Sequence, residues 1–158
     1  RDRVRGSKLH KFEVLMVHRN ENWQIWESYV KKRHQIAQMC SNEDEPWEAK
    51  TQSEDIFGND DAGKLLERAE LQSDCNEFYL FHGTKPSAAK AICDSDFLIK
   101  LAGTSAGTLY GPGLYFAEAS SKSDEYAEED KDGIFQGLYA MLVCRVACGN
   151  INYTDEVR

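Results

Sequence analysis

The run Tyr110–Tyr126, YGPGLYFAEASSKSDEY, together with the FHGT at Phe81–Thr84, constrains this chain more than any other feature. FHGT closes the apolar stretch NEFYLFHGT, so a histidine and a glycine stand at the mouth of a predicted strand. The longer run joins a Gly-Pro-Gly turn, the aromatic segment Leu114–Ala117 and a serine-rich helix start without a break. A polar anchor, a loop that allows close backbone approach and a pair of aromatic walls are thereby encoded together. Such a set suits a flat, polar, ribose-bearing ligand.

The remainder of the chain limits what can surround that pocket. At 158 residues it is long enough for one domain that buries roughly two-thirds of its unfolded surface. A net charge of −8 and a pI near 5.0 argue against a nucleic-acid footprint, which needs a basic face. Arg1, Arg3, Arg5, Lys8 and Lys11 read as a solvated terminus. No apolar run approaches the ~20 residues needed to span a bilayer, and no signal-like segment follows the first residues. The chain opens without Met, which predicts a piece of something longer. Its five cysteines are odd in number and lack a CxxC pair, as expected of reduced thiols in an intracellular protein. Cys144 and Cys148 fall on one face of a predicted strand and read as buried thiols; no metal is expected.

Taken in order, Phe12–Val17 predicts a first strand, and Asn20 or Asn22 caps a following helix. That helix places Trp23, Trp26, Tyr29, Val30, Ile36 and Ala37 near one face, predicting core tryptophans, with Glu27, Lys31, Lys32 and Arg33 outward. Residues 40–61 form an acidic, irregular loop or insertion, and Lys64–Leu71 a short amphipathic helix. Glu77–Phe81 is the second strand, and Pro86 opens a helix that runs through Ser87–Ser95. Phe97–Leu101 is short and apolar, and a glycine loop with Gly103, Gly107, Gly111 and Gly113 follows. Leu114–Ala117 predicts a third strand, and a capping box at Ser121–Asp124 a helix running into the acidic AEEDKD. Gly137–Cys148 predicts the longest and central strand. Interspersed strands and helices give a mixed α+β domain.

Several pocket residues have an ordinary reading beside the functional one. A histidine at a strand end is commonly structural, but Gly83 admits close backbone approach and Thr84 adds a hydroxyl. His82 can donate to a ribose hydroxyl while its other nitrogen is held. The glycine loop is neither a Walker A motif nor the dinucleotide fingerprint, since Phe116 stands where the third glycine belongs. Ser123 near a helix start and Tyr126 three residues on would offer a hydroxyl and a stacking ring, as an aromatic amide such as nicotinamide requires. Core aromatics beside a capped helix account for these residues equally well.

FHGT, the glycine loop and YGPGLYFAEASSKSDEY, taken together, resemble the catalytic domain of the poly(ADP-ribose) polymerase family, the diphtheria-toxin-like ADP-ribosyltransferases. The opening FEVLMVHRNENWQIWESYVKKRHQI is similar to that domain's first strand and helix, in the form without a helical regulatory subdomain. The resemblance covers nearly all of residues 1–158. It implies a mainly antiparallel split sheet with short helices and an NAD+ ADP-ribosyltransferase activity on protein acceptors, including the protein itself. His82 would bind the adenosine-side ribose and the Gly83 backbone the nicotinamide amide. Tyr115 would be the second member of a His-Tyr-Glu set, so His82 and Tyr115 are the expected catalytic residues. Ser123 would bond the carboxamide and Tyr126 stack on its ring. Thr84, Tyr110, Phe116 and Ala117 complete the implied NAD-binding set, with a loop from about Ala102 to Tyr110 covering the ligand.

One departure qualifies the match. The family's third residue lies on a later strand, whereas this chain ends at Arg158. Glu156, in NINYTDEVR, fits a strand exit and not that motif. The expectation is therefore a catalytic domain truncated at its C-terminus. Two alternatives stay open: an inactive NAD-binding module of the same fold, and an interaction domain using acidic Glu43–Glu48 and Asp124–Asp132.

Overall fold

The computed structural model describes residues 13–40, 71–101 and 110–154. Its regular elements are helix α1 (Trp23–Cys40), strand β1 (Glu77–Thr84), helix α2 (Pro86–Ser95), helix α3 (Ser120–Asp124) and strand β2 (Ala140–Ala147). Single 3-10 turns occupy Ser73–Cys75 and Ile99–Leu101. The mixed α+β class is borne out.

Strands β1 and β2 pair antiparallel over their whole lengths, from Glu77 opposite Ala147 to Thr84 opposite Ala140. The other edge of β1 is taken by Ala117, which exchanges both main-chain hydrogen bonds with Phe81 at 2.8 and 2.9 Å. Strand β1, not the predicted Gly137–Cys148, is therefore the inner strand among the described residues. The expected third strand, Leu114–Ala117, reduces to this one bridge. Beside that bridge the carbonyl of Tyr115 meets the His82 side chain at 2.9 Å.

Helix α1 begins where the asparagines placed it. The Asn22 Oδ1 accepts the Ile25 N–H at 3.3 Å, satisfying one orphan donor of the first turn. The amides of Asn20 and Asn22 also donate to the carbonyls of Cys93 and Asp94, so the start of α1 ties off the end of α2. The tryptophans are not core: Trp23 is 71% exposed and Trp26 37%. Segment 13–17, the described part of the predicted first strand, is not a strand either, and Val14 to Val17 are all exposed. A strand needs a ladder from a neighbour, and no described strand offers this segment one. Most of the acidic region 40–61 and all but the last residue of Lys64–Leu71 lie outside the described residues; Leu71 itself is not helical.

What anchors α1 instead is a buried charge. Glu77 is 2% exposed and faces the same side of the sheet as Arg145, its diagonal neighbour on β2. Arg145 donates to both carboxylate oxygens, at 3.0 and 2.8 Å. From α1, Arg33 adds bonds at 3.2 Å and the Tyr29 hydroxyl one at 2.6 Å; the Gln72 N–H contributes another at 2.8 Å. Arg33, expected outward, is thus turned in. Trp26 roofs the two guanidiniums, 5.3 Å from Arg145 and 6.0 Å from Arg33, and stacks on Tyr29 at 5.7 Å. Burial alone would raise the Glu77 carboxyl, but bonds from Arg145, Tyr29 and Gln72 outweigh it and hold the group below its ordinary value. Burial, then the bond to Glu77, drives the Tyr29 phenol far above the usual tyrosine range.

Helix α2 starts at Pro86 as expected, but its cap comes from afar. Asp130 accepts from the Ser87 N–H at 2.9 Å and from the Ser87 hydroxyl at 2.5 Å, placing a carboxylate at the helix start. One acid of the AEEDKD run thereby has a structural use. Helix α3 correspondingly stops at Asp124, short of that run, and its N-cap is Ala119 with no side-chain cap, so the expected capping box is absent. Continuing the helix would gather acids at its negative end.

The five cysteines are free. Burial pushes the Cys144 thiol up to about 12 and the Cys75 thiol up to about 11, and raises Cys148, so these are packing thiols rather than nucleophiles. Cys144 is on β2 and half-buried, while Cys148 lies just past the strand.

The Glu77 cluster generates a prediction. A carboxyl whose folded pKa is depressed stabilises the fold fully above its unfolded value, and that contribution disappears as pH falls through the folded pKa. Melting temperature should therefore fall with acidification below the unfolded glutamate value of about 4.3. Glu77→Gln should cost about 3 kcal/mol at neutral pH by leaving two buried guanidiniums unneutralised, and should flatten that acid limb. Thermal unfolding followed against pH for both proteins checks both.

Candidate functional site

The predicted site residues gather around the outer edge of β1. An antiparallel ladder alternates the edge to which successive residues turn their main-chain groups. Phe81 faces Ala117, so Gly83, two residues on, turns its N–H and C=O to the same edge, beside α3. The side chains of Glu77, Phe81 and Gly83 share one face, so a side chain at Gly83 would point at α3. A Cβ there would stand 1.9 Å from the Ser123 carbonyl oxygen and 3.2 Å from the Ala127 nitrogen. Glycine is required because the backbone of α3 lies directly on the strand. The freedom the sequence reading assigned to a ligand is used first for this packing.

Ser123 is 4% exposed, and its hydroxyl donates to the Phe81 carbonyl at 2.8 Å. That bond fixes α3 against the strand edge. A hydroxyl has one proton. While it is given to Phe81, Ser123 offers its lone pairs as an acceptor; donating to a ligand would require it to leave Phe81.

His82 lies on the opposite face of β1 and is positioned by three contacts. Its Nδ1 is 2.9 Å from the Tyr115 carbonyl. The carbonyl only accepts, so Nδ1 donates to it and Nε2 is the nitrogen left to meet a ligand hydroxyl. Phe97 meets the imidazole edge-on at 5.2 Å and Phe116 lies 5.6 Å away, the two phenyl rings being 5.4 Å apart. Phe97 was missed as a site residue. Nothing in its short apolar segment marks it; it reaches His82 after Asp96, which ends α2 at φ +82, a conformation that non-glycine residues rarely adopt.

Tyr115 works through both ends. While its carbonyl holds His82, its phenol donates to the Gly111 carbonyl at 2.6 Å and accepts the Tyr110 N–H at 3.1 Å. The Gly-Pro-Gly turn is thereby strapped to the histidine through one residue. Tyr110 is half exposed at the rim, and residues 102–109 of the expected covering loop lie outside the described residues. Tyr126 follows α3, its N–H bonded to the Ser123 carbonyl at 3.1 Å, and the residue is 44% exposed. Lys122 sets its ammonium 5.7 Å from that ring centroid and 2.6 Å from a Glu125 oxygen. Thr84 ends β1 opposite Ala140. Among the described residues no three His, Cys, Asp or Glu side chains converge as metal ligands. Glu156 lies outside them.

Gly83 on the strand edge, the buried Ser123 and the Tyr126 ring on the following turn are thus brought near one another. The family model of the poly(ADP-ribose) polymerase catalytic domain matches residues 8–156. The chain belongs to this family. It is 34% identical over 86 residues to the poly [ADP-ribose] polymerase tankyrase of Caenorhabditis elegans, covering 54% of this chain and 4% of that protein. A probable poly [ADP-ribose] polymerase of Dictyostelium discoideum is 28% identical over 150 residues, or 94% of this chain and 35% of the relative. The mouse protein mono-ADP-ribosyltransferase PARP10 is 36% identical over 91 residues, covering 54% of this chain and 9% of its own length. The chain thus spans between 4% and 35% of the length of these curated relatives. No described helix of this family member is long and apolar enough to cross a membrane.

Gly83→Ala tests the packing of α3 on β1. The obstruction is backbone and cannot swing aside, so the variant should lose about 1–3 kcal/mol in denaturant unfolding.

Proposed function

We propose that this domain binds NAD+ and transfers its ADP-ribose to protein acceptors, releasing nicotinamide. The observation that carries the reading is the outer edge of β1. There the Gly83 N–H and C=O form a donor–acceptor pair complementary to a carboxamide, with the Ser123 hydroxyl beside them. Tyr126 supplies the stacking surface for the ring, and His82 Nε2 meets a hydroxyl of the adenosine-side ribose. Thr84, Phe116 and Ala117 line the strand end between these points, and Tyr110 stands at the rim.

The chemistry these residues support is positional and electrostatic. The bond between the ribose carbon and the ring nitrogen breaks, and its electron pair passes to the nitrogen, so nicotinamide departs neutral. The ribose carbon becomes oxocarbenium-like and is captured by an acceptor nucleophile, which then loses its proton. Tyr115 acts as a positioning residue for His82 and the glycine turn; its phenol is already bonded at both its donor and its acceptor. The free thiols fit a reducing, intracellular setting, and the net charge of −8 makes protein acceptors more fitting partners than nucleic acid.

Paired binding measurements with NAD+ and free nicotinamide test the assignment. Tyr126→Ala should weaken both ligands about fivefold, the stacking contribution being on the order of 1 kcal/mol. His82→Ala should weaken NAD+ while leaving nicotinamide unchanged, because only NAD+ carries ribose. Equal losses for both ligands in folded His82→Ala would contradict the placement.

A further inference from the structure

The ring site carries a charge arrangement that the binding reading leaves unused. Lys122 lies 5.7 Å from the centroid of Tyr126 and is paired with Glu125 at 2.6 Å. The lysine side chain is 48% exposed and the glutamate 24%, so the pair sits at the edge of the site rather than inside the core. An aromatic ring attracts a cation through its quadrupole. Here that attraction is already engaged by an ammonium. The nicotinamide ring of NAD+ is itself a cation, whereas released nicotinamide is neutral. A pyridinium stacked on Tyr126 would therefore share one ring with Lys122, on either face, and the two like charges would repel.

We propose that Glu125 is a specificity-determining residue of this site. By neutralising Lys122 it permits a cationic nicotinamide ring to occupy Tyr126, and without it the site prefers the neutral ring. The proposal rests on the placement of the nicotinamide ring on Tyr126 proposed above. It assigns the pair opposite effects: Glu125 favours the charged ring that arrives, and Lys122 favours the neutral ring left when the glycosidic electrons pass to the nitrogen. The pair lies within α3 and the turn after it, so it travels with the ring that it tunes.

The test compares nicotinamide with its ring-N-methylated cation, which share the carboxamide and ring and differ in charge and one methyl. Dissociation constants are measured by calorimetry for the chain, for E125Q, for K122Q and for the double variant. E125Q should weaken the cation about threefold, the scale of a partly exposed ion pair, with nicotinamide unchanged. K122Q should tighten the cation, and the double variant should return it to the parent value. Equal weakening of both ligands would assign Glu125 to holding the turn and overturn the proposal, as would an unchanged cation affinity in folded E125Q. If the parent chain binds neither ligand, the ring site fails and the proposal falls with it. If nicotinamide binds but ignores these substitutions in both charge forms, only the role of Glu125 fails.

Discussion

The Glu77 carboxylate is the interaction on which the described fold depends. It accepts from Arg145 on β2, from Arg33 and Tyr29 on α1, and from the Gln72 main chain, and so joins both strands, the long helix and the turn before β1 at one point. Taking a carboxylate and two guanidiniums out of water is costly, and their attraction repays it only with good geometry and full hydrogen bonding. Here every contact on the carboxylate is of hydrogen-bond length, and Trp26 covers the guanidiniums. A carboxylate so committed fixes where α1 crosses the sheet more sharply than apolar contacts alone, because any displacement strands a charge.

From that fixed end, β1 carries its consequences to the other. The strand that begins at Glu77 ends at His82, Gly83 and Thr84, so the ion cluster and the candidate site residues are two ends of one strand. At the far end the constraint changes from charge to space. Gly83 lets α3 lie on the strand, and the Ser123 bond to Phe81 keeps it there. Tyr115 then couples the histidine to the glycine turn, and the candidate site is held by main-chain and buried hydroxyl contacts rather than by exposed side chains.

The candidate-site residues stood out in the sequence more clearly than the fold did. His82 and Gly83 fall in one short motif and Tyr115, Phe116, Ala117 and Ser123 in another, and the structure brings the two together along β1. Strand β1, strand β2 and helix α2 were legible from apolar runs and from Pro86. What escaped was set by partners distant in sequence. Arg33 belongs by periodicity to the polar face of α1, yet turns inward because a glutamate far along the chain is buried beneath it. Trp26 reads as core by its place on the apolar face of α1 and proves to be a cover for cations. The bond that holds the His82 ring could not be read, since it comes from the Tyr115 carbonyl in another segment. Asp130 stood in an acidic run with no assigned structural use, and only the fold brings it to the start of α2.

If this edge of β1 takes NAD+ and cleaves its nicotinamide bond, the chain releases nicotinamide. The most direct measurement is release of radiolabelled nicotinamide from NAD+ by the purified chain, with excess unlabelled nicotinamide as competitor. The account predicts time-dependent release that the competitor suppresses and that Tyr126→Ala slows. A folded chain that binds NAD+ without releasing nicotinamide would contradict transferase activity and leave a binding module. A folded chain that neither binds nor cleaves NAD+ would contradict the account as a whole.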